Sequence, residues 1–225
     1  MDTPRIVTID GPAGVGKSTL ARRVAAELHI AYLDTGAMFR TVARELGEEG
    51  LGLDRKDMES RLAALSFALS GAGNETRLSC NGRIAGQEIR GEAVGFLAAR
   101  YAENSSVRSF LKSAQQALGR RFSLVAEGRD MGTAVFPDAP RKFFLDAAPA
   151  VRAARRIRDL EAAGEKPDLA ALTEQIRRRD ELDRNRAIAP LTPAPDAIII
   201  DTGPLDIEGV FRAIINRLPS SWISG

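Results

Sequence analysis

The sequence predicts an α/β fold, a five-stranded parallel sheet flanked by helices, and three observations carry that prediction. Short apolar runs with strand character recur at 5–10, 30–34, 122–126, 142–146 and 197–201. Helical periodicity separates them, beginning with Leu20, Val24, Ala25 and Leu28. Between the first strand and that helix lies a glycine-rich turn, Gly11-Pro12-Ala13-Gly14-Val15-Gly16-Lys17-Ser18-Thr19. Strands that alternate with helices join in parallel.

The first strand, Arg5–Asp10, and the helix after residue 16 frame that turn as the phosphate-binding pattern of Gly, four residues, then Gly-Lys-Ser/Thr demands. Glycines let backbone N–H groups curl round phosphate oxygens, and the helix points its positive dipole end at them. Lys17 adds a mobile charge at the β/γ-phosphates, and the Ser18 hydroxyl can ligate Mg²⁺. The expectation is a nucleoside triphosphate site.

The second strand ends at Asp34, and the next helix opens with Thr35 as its expected N-cap. Strand C-terminal ends face the ligand crevice in a parallel sheet. Asp34 therefore either reaches the Mg²⁺ shell or caps the helix, and Arg40 either meets a second ligand or faces solvent.

Residues 54–100 break the alternation. Leu65, Phe67 and Leu69 alternate with small or polar residues, and Asn81-Gly82 between strand-like runs signals a hairpin. A small, partly antiparallel insertion is expected here. Helices follow at about 91–103 and 105–121, the second capped by Ser105 or Ser106. Arg108 falls in its first turn, where the helix dipole disfavours a cation, which points to function.

The third core strand, 122–126, runs into Glu127-Gly-Arg-Asp-Met-Gly132, a charged, glycine-flanked loop at a strand end and so a site candidate. Between the fourth and fifth strands, residues 151–186 hold nine arginines and one lysine. Most such arginines are solvated salt-bridge formers. Arginine over lysine is also what planar phosphate clamps prefer, so a lid closing over phosphates is the sharper reading. The last helix carries a core face of Ile207, Val210, Phe211, Ile214, Ile215 and Leu218.

The 225 residues carry a net charge of +2, too balanced to favour nucleic acid as a partner. The single cysteine, Cys80, forms no intrachain disulfide, which suits a reducing compartment. No signal-peptide pattern or apolar run of transmembrane length is found, so the expected address is the cytoplasm. The lone His29 ends a helix and has no partner for a zinc site.

Many arginines near one phosphate loop favour an acceptor that is itself a phosphate. Such an acceptor is already ionised and needs no strong base; repulsion between two polyanions is the obstacle, and cations remove it. Four blocks then carry a resemblance: Ile9–Thr19, Leu33–Arg40, Glu127–Pro137 and Asp183–Leu191. Together they resemble the bacterial cytidylate kinases over essentially the whole chain. The resemblance implies a P-loop NTPase of the nucleoside monophosphate kinase (NMP-kinase) fold, with core segments 1–53, 101–150 and 187–225, an NMP-binding insertion at 54–100 and a lid at 151–186. It implies Mg²⁺-dependent transfer of the ATP γ-phosphate to CMP, and usually dCMP, by a monomer.

By the same resemblance Gly11–Thr19 hold ATP and Lys17 is the central catalytic cation. Thr35, Arg40, Arg108 and Arg129 grip the acceptor phosphate or its neighbourhood. Arg129, Asp130 and Arg179 read the cytosine edge, and Asp183 and Arg186 lie near sugar and phosphates. Arg152, Arg155 and Arg156 are the lid candidates for the transferring phosphoryl group. Ala99 stands where a polar contact to cytosine or sugar is expected, leaving Ser105 or Ser106 as substitutes. The alternatives are a kinase of another small metabolite, such as shikimate, and a non-catalytic nucleotide-binding module. No asparagine precedes a lysine, so the base-reading motif of GTPase switches is absent.

Overall fold

Alternation along each central strand decides the layering. Ile6, Ala31, Leu33, Leu124 and Ala126 face one side, while Val7, Ile9, Tyr32, Val125, Phe143 and Leu145 face the other. In the computed structural model, which describes residues 4–162, 164 and 168–223 (the backbone alone at 159), five parallel strands form one sheet. They are β1 (Ile6–Asp10), β2 (Ala31–Asp34), β6 (Leu124–Gly128), β7 (Arg141–Asp146) and β8 (Ile198–Asp201), in the order β2-β6-β1-β7-β8.

Helices cover both faces. On one side α1 (Lys17–Glu27) and α8 (Ile207–Ile215) bury Leu20, Val24, Val210 and Ile214. On the other, α2 (Thr35–Leu46) and α5 (Ser105–Arg121) bury Met38, Val42, Val107 and Leu111. Each such aliphatic side chain contributes about 1.5–3 kcal/mol on burial. The face of α8 anticipated from its spacing is only partly covered, since Ile207 stays 43% exposed.

Residues between α2 and α5 form a satellite. It holds α3 (Arg55–Ala63), an antiparallel sheet of β3 (Phe67–Ser70), β4 (Arg77–Cys80) and β5 (Arg83–Ile84), and α4 (Glu92–Tyr101). Asn81 and Gly82, both at positive φ (49° and 77°), make the two-residue turn joining β4 to β5. Cys80 is buried there, and burial raises its thiol pKa. On the opposite flank α6 (Pro149–Ala162) packs against α7 (Leu169–Asn185).

Three local expectations need correction. Asp34, not Thr35, caps α2: its carboxylate accepts from Ala37 N–H at 2.8 Å, while the Thr35 hydroxyl turns to the Glu127 carbonyl at 2.6 Å. Asn104, not Ser105 or Ser106, caps α5, accepting from the N–H groups of Ser106 and Val107. The third core strand runs two residues further than its apolar run, because pairing with β1 continues to Asp10 opposite Gly128. That register places Glu127 inside the strand, with its side chain buried.

Candidate active site

The phosphate loop, Asp34 and the 129–130 segment all sit where a parallel strand ends, after β1, at the end of β2 and after β6. Gly11 follows β1 with φ 148°, and a Cβ there would lie 2.1 Å from the Leu145 carbonyl oxygen, so only glycine lets the chain turn. Gly16 precedes α1 in a left-handed conformation (φ 92°), with no side-chain cap and no acidic residue in the first turn. The first-turn N–H groups of α1 are left facing the loop, the arrangement an anion needs.

Lys17 is 6% exposed and donates to the Pro12 carbonyl at 2.7 Å, folding back over its own loop. Burial, reinforced by the Arg129 guanidinium, brings its pKa down to about 7, against the pull of Glu127, Asp10 and Asp183. An ammonium held at that pKa is short of negative charge. A phosphate is the natural remedy.

The Ser18 hydroxyl lies near the buried Glu127 and favours its anion, and Glu127 accepts from the Tyr32 hydroxyl at 2.5 Å. Burial and the nearby Asp34 raise the Glu127 pKa. Asp34 itself is occupied by its capping bond and by Arg40 at 3.4 Å. Among the described residues no cluster of three or more carboxylate, imidazole or thiolate groups gathers to hold a metal. A hydroxyl with one carboxylate beside it fits Mg²⁺, which takes one or two carboxylates and fills its shell with phosphate oxygens and water.

Past β6 the chain enters a π-helical turn, Met131–Val135. Asp10, at the end of β1, accepts from the N–H groups of Met131 and Gly132 at 2.9 and 2.8 Å. Burial pushes its carboxyl up to about 6 although those bonds favour the anion. Asp10 thus ties the phosphate loop to the segment that presents Arg129 and Asp130.

Those two residues do not pair with each other. Asp130 accepts from Arg108 at 2.5 Å and meets Arg186 at 3.4 Å, while Arg129 donates to Asp183 at 2.8 Å. The unfavourable place of Arg108 in the first turn of α5 is explained by this partner. Burial works against the Asp183 carboxylate, but Arg129, Arg186 and Arg179 hold its pKa below the usual range. Arg179, on α7 two turns before its C-cap Arg186, makes no ion pair among the described residues. Its packed surroundings and the charge of Arg129 lower its pKa, with Arg40 adding to the repulsion.

The lid arginines separate. Arg152 is 1% exposed and chelated by Asp180 of α7, so its guanidinium is committed rather than free. Arg155 donates to the Thr202 hydroxyl (3.0 Å) and to the carbonyls of Thr202 and Leu205, bracing the loop after β8 instead of facing the phosphate loop. Arg156 is exposed. Ser106 donates to Glu59 at 3.2 Å, and Ala99 is exposed. Ala102, Glu103, Leu182, Arg186 and Ile188 line a cleft of about 660 Å³, large enough for a nucleotide.

The sequence signals do not single out Asp10 or Tyr32 as site residues, and they include Glu127 only as the first member of a charged loop. Asp10 and Glu127 both occupy strand ends within the quoted blocks, and that position was the available signal. The role of Asp180 left none, since it looks like one more charge on a solvated helix.

Among the described residues no helix is long and apolar enough to cross a membrane. The family model for cytidylate kinase matches residues 7–220. A cytidylate kinase of Nitratidesulfovibrio vulgaris (strain Hildenborough) is 60% identical over 216 residues, covering 96% of this chain and 93% of that protein. One from Oleidesulfovibrio alaskensis is 59% identical over 213 residues, covering 95% and 97%. Among solved structures, an uncharacterized protein from Eubacterium ventriosum superposes with a TM-score of 0.53 at 14% identity, covering 94% of this chain and 96% of that one, a likeness of fold alone. A phosphate loop and an arginine-lined cleft on one parallel sheet, with these relatives, place the chain in the cytidylate kinase family.

Proposed function

We propose that the protein is an ATP:CMP phosphotransferase that also accepts dCMP and works with Mg²⁺. The observation that carries the reading is the position of Arg129. It follows β6 and donates to Asp183 of α7 at 2.8 Å, and its charge adds to burial in lowering the pKa of Lys17 on the donor side and of Arg179 on the acceptor side. Three cations crowd between two nucleotide sites, and two phosphate groups brought into line relieve the repulsion.

In this reading the N–H groups of Gly11–Thr19 hold the ATP phosphates while Lys17 leaves the Pro12 carbonyl for the β/γ oxygens. Arg40, Arg129 and Arg179, with the Thr35 hydroxyl nearby, hold the CMP phosphate in line. Ser18 with Glu127 beside it would hold Mg²⁺, which when bound neutralises phosphate charge. The acceptor oxygen is already anionic, so positioning and charge stabilisation do the work. Asp130 accepts from the cytosine amino group while Arg108 and Arg186 donate to its ring acceptors, a pattern that uracil reverses at its 4-position. Asp183 lies within reach of the sugar. Arg156 remains the free lid cation for the moving phosphoryl group. A cytoplasmic, monomeric enzyme acting on small nucleotides belongs to the same reading.

The test is ADP release from Mg-ATP with CMP, dCMP, UMP, AMP or shikimate as acceptor. CMP and dCMP should turn over at least about tenfold faster than UMP, the discrimination expected of one well-made base contact. Faster conversion of UMP, AMP or shikimate than of CMP would sink it.

The depressed pKa of Lys17 makes donor binding proton-linked. Above pH 7 the free protein holds Lys17 largely neutral, whereas bound phosphates favour the ammonium, so binding draws a proton from solution. Titration with a non-hydrolysable Mg-ATP analogue, in buffers of different ionisation enthalpy, should show uptake of about one proton at pH 8 and less than about half of one at pH 6.5. Uptake that does not grow between those pH values would contradict the assignment.

A further inference from the structure

Arg152 uses its guanidinium in an unexpected way. Its Nε–H donates to the Ala147 carbonyl at 2.8 Å, fixing the head relative to the end of β7. One terminal nitrogen donates both to the Ala13 carbonyl, inside the phosphate loop, at 3.0 Å and to Asp180 Oδ1 at 3.0 Å. The other closes the fork on Asp180 Oδ2. Asp180 is 7% exposed and lies on α7 beside Arg179 and one turn before Asp183. A chain of direct bonds therefore runs from the donor loop through Arg152 and Asp180 to the helix that carries acceptor residues.

A buried ion pair is poorly explained as a stability device, since apolar residues of similar volume serve at least as well. Its geometry suits a link between two sites. Carbonyl 13 belongs to the loop whose N–H groups would curl round the donor phosphates, so any adjustment of that loop on filling is felt at Arg152. The planar fork has one way to grip both the carbonyl and the carboxylate, so a shift at one end moves the other.

We propose that Asp180 is a positioning residue that couples the two substrate sites: through Arg152 it ties α7 to the phosphate loop, so that a filled donor loop sets Arg179 and Asp183 for the acceptor. The proposal rests on the assignment of donor and acceptor sites given above. It predicts positive coupling between ligands, because a donor that orders the strut removes part of the ordering that the acceptor would otherwise require.

The measurement is the CMP dissociation constant, by calorimetry, with and without a saturating non-hydrolysable Mg-ATP analogue. In the wild-type protein the analogue should tighten CMP binding at least about fivefold. In Asp180→Asn that ratio should fall to within about twofold of one, while the analogue alone still binds. Asp180→Glu, which keeps an anion for Arg152, should restore part of the ratio. Asp180→Asn also strands a buried guanidinium and will lower Tm; the double variant Arg152→Met/Asp180→Leu removes both charges, folds without the strut and should show the same loss of coupling. A merely structural bond would lower Tm and leave the ratio untouched. A wild-type ratio retained in Asp180→Asn or in the double variant, or a ratio of one in the wild type, overturns the proposal; a wild-type protein that binds neither nucleotide overturns the site assignment beneath it as well.

Discussion

Replacing Lys17 by methionine is expected to lower kcat by about a thousandfold and, at the same time, to raise the melting temperature. The loss follows from its place on the phosphate loop, where its ammonium folds back on the Pro12 carbonyl while the Arg152 guanidinium that also bonds the loop is committed to Asp180. The gain follows from burial. At 6% exposure, with its pKa brought down to about 7, the ammonium is held at a cost that the unfolded chain does not bear. Between pH 7 and the ordinary lysine pKa the unfolded state binds the extra proton, so the penalty is largest below pH 7 and fades as pH rises. A methionine of similar length avoids it and should add roughly 1–3 kcal/mol of stability at pH 7. Denaturant melts of both proteins at pH 7 and pH 9.5 check the sign: the gap should narrow at the higher pH. A variant that is less stable at pH 7 would show that the buried lysine is structural rather than poised for a ligand.

Local chemistry made much of this molecule legible in advance. The phosphate loop was readable because its glycines answer steric demands that no other residue meets, as the blocked Cβ position at Gly11 illustrates. The five strands and the Asn81-Gly82 hairpin followed from period-two burial and from turn residues suited to positive φ. Long-range pairing was opaque. Arg108 looked misplaced on its helix, and its partner Asp130 is twenty-two residues away on another element. Three neighbouring lid arginines were equivalent as letters, yet one is chelated by Asp180, one braces the loop after β8 and one is exposed. Which fate each meets depends on how α6 packs against α7 and on where β8 ends, and neither is written in the local spacing. The cap at Asp34 shows the same limit on a small scale, since Asp and Thr are both good caps and the Thr35 hydroxyl is claimed by a carbonyl ninety-two residues on.

Arg129→Met should reduce kcat/KM for CMP by about a thousandfold, with most of the loss in kcat. The guanidinium donates to Asp183 on α7, and its charge reaches both Lys17 and Arg179, so in the proposed reading it stands between the donor and acceptor phosphates. Charge that develops between two phosphoryl groups is what such a position stabilises, and ground-state binding of either nucleotide needs it less. Arg129→Lys should recover only a small part, because a lysine keeps the charge but not the planar fork that holds Asp183 while facing a phosphate. Stability should change by less than about 1 kcal/mol, since Arg186 and Arg179 remain beside Asp183 to balance it. One further consequence separates this account from a loss of packing. With Arg129 gone, a repulsion on Lys17 is lifted, its pKa rises, and proton uptake on binding the ATP analogue at pH 8 should shrink. An inactive variant with undiminished uptake would mean that Arg129 acts on the acceptor side alone.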